Sequence, residues 1–162
     1  MAYAARRATL AVLLTIGVGG SAIAATASGT LSVRVLVQPN CTVSSSTLDF
    51  GTYVSTQAAA LNGTANIAYT NCPAGTLKFE LDGGVNGTVT ARKMSNGAGG
   101  LLNYALYRDT ARTQSFAQGA NARSVTLAAS GAGTVPVYGA IPGAQAVAAG
   151  TYTDTVQITL TF

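Results

Sequence analysis

Residues 151–162, TYTDTVQITLTF, place Tyr152, Asp154, Val156, Ile158, Leu160 and Phe162 at one parity and Thr153, Thr155, Gln157, Thr159 and Thr161 at the other. Side chains of an extended strand alternate between two faces, so this spacing predicts a strand with one apolar face and one threonine-rich face. Asp154 is the one break in the apolar set. No residue after Phe162 offers a neighbouring strand, so its pairing partner is expected to come from elsewhere.

A second alternation lies near the other end. In residues 30–37, TLSVRVLV, Leu31, Val33, Val35 and Val37 share one face of a predicted strand, and Thr30, Ser32, Arg34 and Leu36 share the other. Pro39 follows and removes a backbone donor, which ends or interrupts pairing there. Whether the apolar edge of this strand packs in its own subunit or in a neighbour decides what such a chain is for.

Upstream stand Arg6 and Arg7, an apolar run from Ala8 to about Val18, and the small residues Ala22, Ile23, Ala24, Ala25, Thr26 and Ala27. That order is the basic, apolar and small-residue plan of a secretory signal, and the run is short of the ~20 residues of a spanning helix. Residues 1–24 are therefore read as a signal peptide, residues 25–37 as an N-terminal extension and residues 38–162 as one domain. No span remains in the mature chain. Of nine basic and five acidic residues, two arginines leave with the signal, so the balance is close to neutral and gives no support for nucleic-acid binding.

Cys41 and Cys72 are the two cysteines. An even count in an exported chain predicts one disulfide, worth roughly 3 to 4 kcal/mol for a loop of this size. A zinc or redox pair fits less well, because the chain has no histidine and no Cys-x-x-Cys. No metal or cofactor is expected.

Between the two alternations run short strands and turns. Ala65, Ile67 and Tyr69 lead into Cys72; Leu77, Phe79 and Leu81 end at Asp82-Gly83-Gly84; Leu102, Tyr104 and Leu106 share a face; Val125 and Leu127 mark a short strand. Arg92 and Lys93 place the strand at residues 88–94 near an edge or facing solvent. Pro136 marks residues 135–141 as an edge strand. Residues 109–121 read as a long loop, with Phe116 as its one clear apolar residue. Such spacing, without a helical period, predicts an all-β antiparallel sandwich.

Chemistry for catalysis is sparse. There is no histidine, both cysteines are committed, and Asp49, Glu80, Asp82, Asp109 and Asp154 are scattered. Only an encounter of Asp109 with Asp154 in space would supply the carboxylate pair that glycoside cleavage needs. The chain is read as a non-enzyme. Tyr104, Tyr107, Tyr138 and Tyr152 fit core packing better than a sugar-binding surface.

Residues 37–43 (VQPNCTV), 48–53 (LDFGTY), 104–109 (YALYRD), 137–143 (VYGAIPG) and 150–156 (GTYTDTV), in that order, resemble the spore coat protein U domain family, which includes pilin subunits of archaic chaperone-usher pili. Phe116 stands where a tryptophan is expected, and Ala140 where a basic residue is common.

The resemblance implies an incomplete immunoglobulin-like antiparallel β-sandwich with an N-terminal donor strand. Leu31, Val33, Val35 and Val37 would form that donor, and residues 152–162 would border the acceptor groove through Tyr152, Val156, Ile158, Leu160 and Phe162. Implied partners are other copies of the same or a related pilin, a periplasmic chaperone and an outer-membrane usher. The implied course is export to the periplasm and then a cell-surface pilus serving adhesion and biofilm formation. A secreted coat protein whose N-terminal strand fills its own sandwich, or a tip adhesin binding surface carbohydrate, are the alternatives.

Overall fold

The computed structural model of the protein describes residues 25–38, 40–44 and 46–162. The predicted signal, residues 1–24, and Pro39 lie outside the described residues. Val37–Phe162 forms one compact unit. Its strands are β1 (Thr42–Val43), β2 (Leu61–Cys72), β3 (Gly75–Leu81), β4 (Arg92–Ser95), β5 (Leu101–Tyr107), β6 (Arg123–Leu127), β7 (Gly131–Ile141) and β8 (Ile158–Thr161). No α-helix occurs among the described residues, and none is long and apolar enough to cross a membrane.

The strands form two antiparallel sheets, one ordered β1-β2-β7-β5-β4 and the other β6-β3-β8. Alternation decides which side chains meet between them. Ile67 and Tyr69 of β2, Leu102, Tyr104 and Leu106 of β5, and Val135, Val137 and Ile141 of β7 face Leu77, Phe79 and Leu81 of β3 in one buried core. The Tyr69 and Phe79 rings bridge the sheets with centroids 5.4 Å apart. Each fully buried Phe, Leu or Ile contributes about 1.5 to 3 kcal/mol. Cys41 and Cys72 form the predicted disulfide, tying the entry to β1 to the end of β2.

Several local expectations change. Phe116 is fully buried, so the predicted loop at residues 109–121 carries a core side chain, held by the Phe116 N–H donating to Leu106 O at 2.9 Å. Residues 88–94 are not one strand: Thr88 and Ala91 form an isolated bridge, and β4 begins at Arg92. The strand is at a sheet edge as expected, but Arg92 does not face solvent. It is only 2% exposed, and its guanidinium donates to Asp82 O through Nε (2.9 Å) and Nη2 (2.6 Å), and through Nη2 to Phe116 O (3.0 Å) and Leu81 O (3.3 Å). A planar fork of donors meets three carbonyls that a shorter side chain could not span.

Pro136 sits in β7, between β2 and β5 rather than at the sheet's edge. The β5 ladder covers only Tyr138, Gly139 and Ala140 of β7, so at Pro136 the strand has a ladder partner on one side only. An edge by local pairing tolerates proline as well as an edge by topology.

The predicted C-terminal strand is also interrupted. Thr153 bridges Ser95 of β4 in the larger sheet, with N–H to O distances of 2.9 and 3.0 Å, while β8 pairs with β3 in the smaller one. Residues 154–157 carry the chain from one sheet to the other. Residues 30–37 adopt no ladder in the single chain, because a strand's hydrogen bonds need a partner.

Candidate functional site

The smaller sheet stops at β8. Thr161 pairs with Lys78, Leu160 with Phe79, Thr159 with Glu80 and Ile158 with Leu81, all on one side. Its other edge has no ladder partner among the described residues. Ile158 and Leu160 are half-buried and alternate with exposed Thr159 and Thr161, as the sequence period requires.

Across from β8 runs the segment at residues 48–53, which belongs to neither sheet. Two glycines seat it. Gly63 of β2 and Gly139 of β7 are register partners, and Leu48 and Phe50 lie over them where side chains would otherwise stand. A Cβ on Gly139 would come within 2.6 Å of Phe50 Cζ, and one on Gly63 within 2.9 Å of Leu48 Cδ2. Phe50 also meets the Tyr104 ring edge-on at 6.4 Å. The segment turns at Gly51, whose φ of 73° suits glycine and whose N–H donates to Asp49 Oδ1 at 2.8 Å.

Between this segment and the C-terminal segment lies an apolar trough. One cavity of about 540 Å³ has Ile67, Leu106 and Val137 as its floor, with Leu48 and Phe50 on one wall and Val156 and Ile158 on the other. A second, of about 630 Å³, continues past Tyr53, Leu102, Ile141 and Val147. Leu48, Asp49, Phe50, Met94, Thr151 and Tyr152 line both, so the two cavities meet there.

Of the predicted groove residues, Tyr152, Val156 and Ile158 line this trough. Leu160 packs on the core from β8, and Phe162 at the chain end is 51% exposed. Leu31, Val33, Val35 and Val37 are 81 to 89% exposed, each presenting nearly its whole apolar surface. In the sequence residues 48–53 stand out only as a family motif, not as the opposite wall. The glycines at 63 and 139 were the available signal.

Asp154, the break in the apolar period, has a structural role at the trough. Its Oδ2 accepts from Tyr104 Oη at 2.6 Å. Its Oδ1 accepts from Val85 N (2.9 Å), Asn86 Nδ2 (3.0 Å) and Asn86 N (3.3 Å). Burial, reinforced by the bond to Asp154, pushes the Tyr104 hydroxyl far above its ordinary value, so it remains a donor. The same carboxylate closes the loop after β3 against the segment that crosses between sheets.

The other acids are likewise engaged with donors. Glu80 accepts from Lys78 Nζ and Gly119 N, both at 2.8 Å, and the bond from Lys78 lowers its pKa. Asp82 accepts from Gly84 N and Gln157 N. Burial raises the Asp109 pKa, but hydrogen bonds from Gln114 and Thr113 outweigh it and hold the carboxyl below its usual value. Asp109 and Asp154 thus serve separate loops. Among the described residues no cluster of His, Cys, Asp and Glu is arranged to hold a metal.

Comparisons with known proteins show a family by sequence and a fold by structure. A model of the Spore Coat Protein U domain matches residues 27–159. Protein U of Myxococcus xanthus is 33% identical over 158 residues, covering 86% of this chain and 87% of that protein. Among solved structures, the CsuC–CsuE chaperone–tip adhesion subunit pre-assembly complex from archaic chaperone-usher Csu pili of Acinetobacter baumannii matches with a TM-score of 0.54 at 20% identity. That match covers 78% of this chain and 40% of the other. The P pilus rod subunit PapA matches with a TM-score of 0.54 at 19% identity, over 75% of this chain and 97% of that one. The sandwich shares the immunoglobulin-like fold of these pilin subunits.

Proposed function

The chain belongs to the spore coat protein U domain family, and from that premise we propose that it is a structural subunit of a surface pilus, polymerised by donor-strand exchange. One observation carries the reading: the sandwich leaves an apolar trough beside the unpaired edge of β8, while four alternating aliphatic side chains stand exposed at residues 31–37. Residues 30–37 of one copy enter the trough of the next, with Leu31, Val33, Val35 and Val37 facing the core. Tyr152, Val156, Ile158, Leu160 and Phe162 belong to the strand that accepts them.

Burying four aliphatic side chains at about 1.5 to 3 kcal/mol each gives a gross ~6 to 12 kcal/mol before ordering costs. Added main-chain pairing to β8 strengthens the contact. Donor and acceptor surfaces differ, so the association is head to tail and extends without closing. Before assembly the open edge is an aggregation hazard, which a periplasmic chaperone covers until an outer-membrane usher passes the subunit to the growing fibre at the cell surface. Adhesion and biofilm formation follow from such a fibre, with structural rather than catalytic work for the subunit.

Val33→Asp or Val35→Asp tests the reading. The substituted subunit is recovered bound to chaperone, and polymer growth stops. Abundant fibres built from either variant would overturn the proposal.

A further inference from the structure

The trough's two borders differ in charge along their outward faces. The first border, residues 46–55, directs Leu48 and Phe50 inward onto Gly63 and Gly139, which leaves Asp49 between them exposed at the rim. On the second border, Thr153, Thr155, Gln157, Thr159 and Thr161 form the exposed face and all are neutral, as are exposed Thr151 and Phe162, while Asp154 is occupied by Tyr104, Val85 and Asn86. Asp49 is therefore the single charge on the outward faces of both borders. Asp49 also stands where the two cavities meet, at the trough's centre.

Residues 30–37 also carry a single charge, Arg34. It belongs to the face opposite Leu31, Val33, Val35 and Val37, so it points outward when those four enter the trough. It also lies midway between Leu31 and Val37, so a centred strand brings it to the centre in either direction. A slip by two residues keeps an aliphatic side chain in most inner positions, so apolar contact alone specifies register weakly along the strand. The slip moves Arg34 by about 6.6 Å, beyond ion-pair reach of a fixed rim carboxylate.

We propose that Arg34 of one copy pairs with Asp49 of the next across the outer face of the trough, and that this unlike-charge pair sets the register of the inserted strand. The inference rests on the strand-donation reading and adds its register determinant. Exposed cross-strand ion pairs are weak, so the pair selects among registers while the aliphatic side chains hold the strand.

The test uses a synthetic peptide of residues 28–38 and the full-length mature protein, with dissociation followed at low and at high salt. At low salt, R34E in the peptide or D49K in the protein each speeds dissociation about two- to fivefold. The two together return the rate to within about twofold of the original, and high salt compresses the differences. Because Asp49 Oδ1 also accepts from Gly51 N, D49N serves as the control that keeps an acceptor for that turn. With D49N, the original and R34E peptides dissociate alike. Insensitivity to R34E in the unsubstituted protein, or a double reversal no better than the worse single change, overturns the charge pairing while leaving strand donation intact. Failure of the unsubstituted peptide to bind at all overturns both.

Discussion

Asp154→Val would complete the apolar alternation of residues 151–162, and by pattern alone it should strengthen the strand. The structure predicts the reverse. Removing the carboxylate deletes four hydrogen bonds, from Tyr104 Oη, Val85 N, Asn86 N and Asn86 Nδ2. Water can replace much of what the partly exposed loop loses. The Tyr104 residue is only 7% exposed, and its orphaned hydroxyl costs about 1 to 3 kcal/mol. Loss of charge-assisted bonds to the loop adds about 1 to 2 kcal/mol after solvent replacement. A half-buried valine returns about 1 kcal/mol. The net expectation is destabilisation by about 1 to 4 kcal/mol, with Asp154→Asn losing about half as much because its amide still offers an acceptor to the loop and a donor to Tyr104. With no tryptophan in the chain, far-ultraviolet circular dichroism in a urea titration at neutral pH, disulfide intact, is the suitable readout. The midpoint should fall with an unchanged slope. A valine variant as stable as the original protein would refute the reasoning, because it would show that the apolar period outweighs the carboxylate's bonds.

Other consequences are equally direct. Arg92→Met should cost about 3 to 5 kcal/mol in the same titration, because it strands the carbonyls of Leu81, Asp82 and Phe116 in a buried site; a loss below 1 kcal/mol would mean those carbonyls find other donors. Gly139→Ala should cost about 1 to 3 kcal/mol by driving the new Cβ into Phe50, and it should weaken binding of the peptide of residues 28–38 by displacing a wall of the trough. Tyr104 makes stability sensitive to alkali. Its folded-state pKa is raised above the ordinary value of 10.0, so both states hold the proton below pH 10 and only the unfolded state releases it above. Stability should be level with respect to this group below pH 10 and fall above it by up to about 1.4 kcal/mol per pH unit. Tyr104→Phe should remove that slope in alkaline urea titrations.

Strand identity was largely readable from period. Leu77, Phe79 and Leu81, or Leu102, Tyr104 and Leu106, alternate because one face of each strand is buried, and burial is what shapes an apolar pattern. Expectations failed where a polar group's partner lies far away in the chain. Arg92 reads as an edge or solvent residue until the carbonyls of Leu81, Asp82 and Phe116 surround it. Asp154 reads as a flaw in a strand until Tyr104 and Asn86 reach it from 50 and 68 positions away. Pro136 reads as an edge marker, and only the short reach of the β5 ladder explains its place in an inner strand.

For the candidate site, the chain's own order of residues was enough to determine the two alternating segments, the disulfide pair, and therefore the all-β sandwich with apolar faces needing cover. Such features are local or compositional, written by a period of two and by an even cysteine count. The resemblance placed one border of a groove at residues 152–162, and tertiary structure alone decided the rest of the trough. Its far wall depends on Gly63 and Gly139 becoming cross-strand neighbours so that Leu48 and Phe50 can lie over them, and its rim charge depends on Asp49 being turned outward by that seating. A cavity is a relation among segments distant in sequence, and no single stretch of residues contains it.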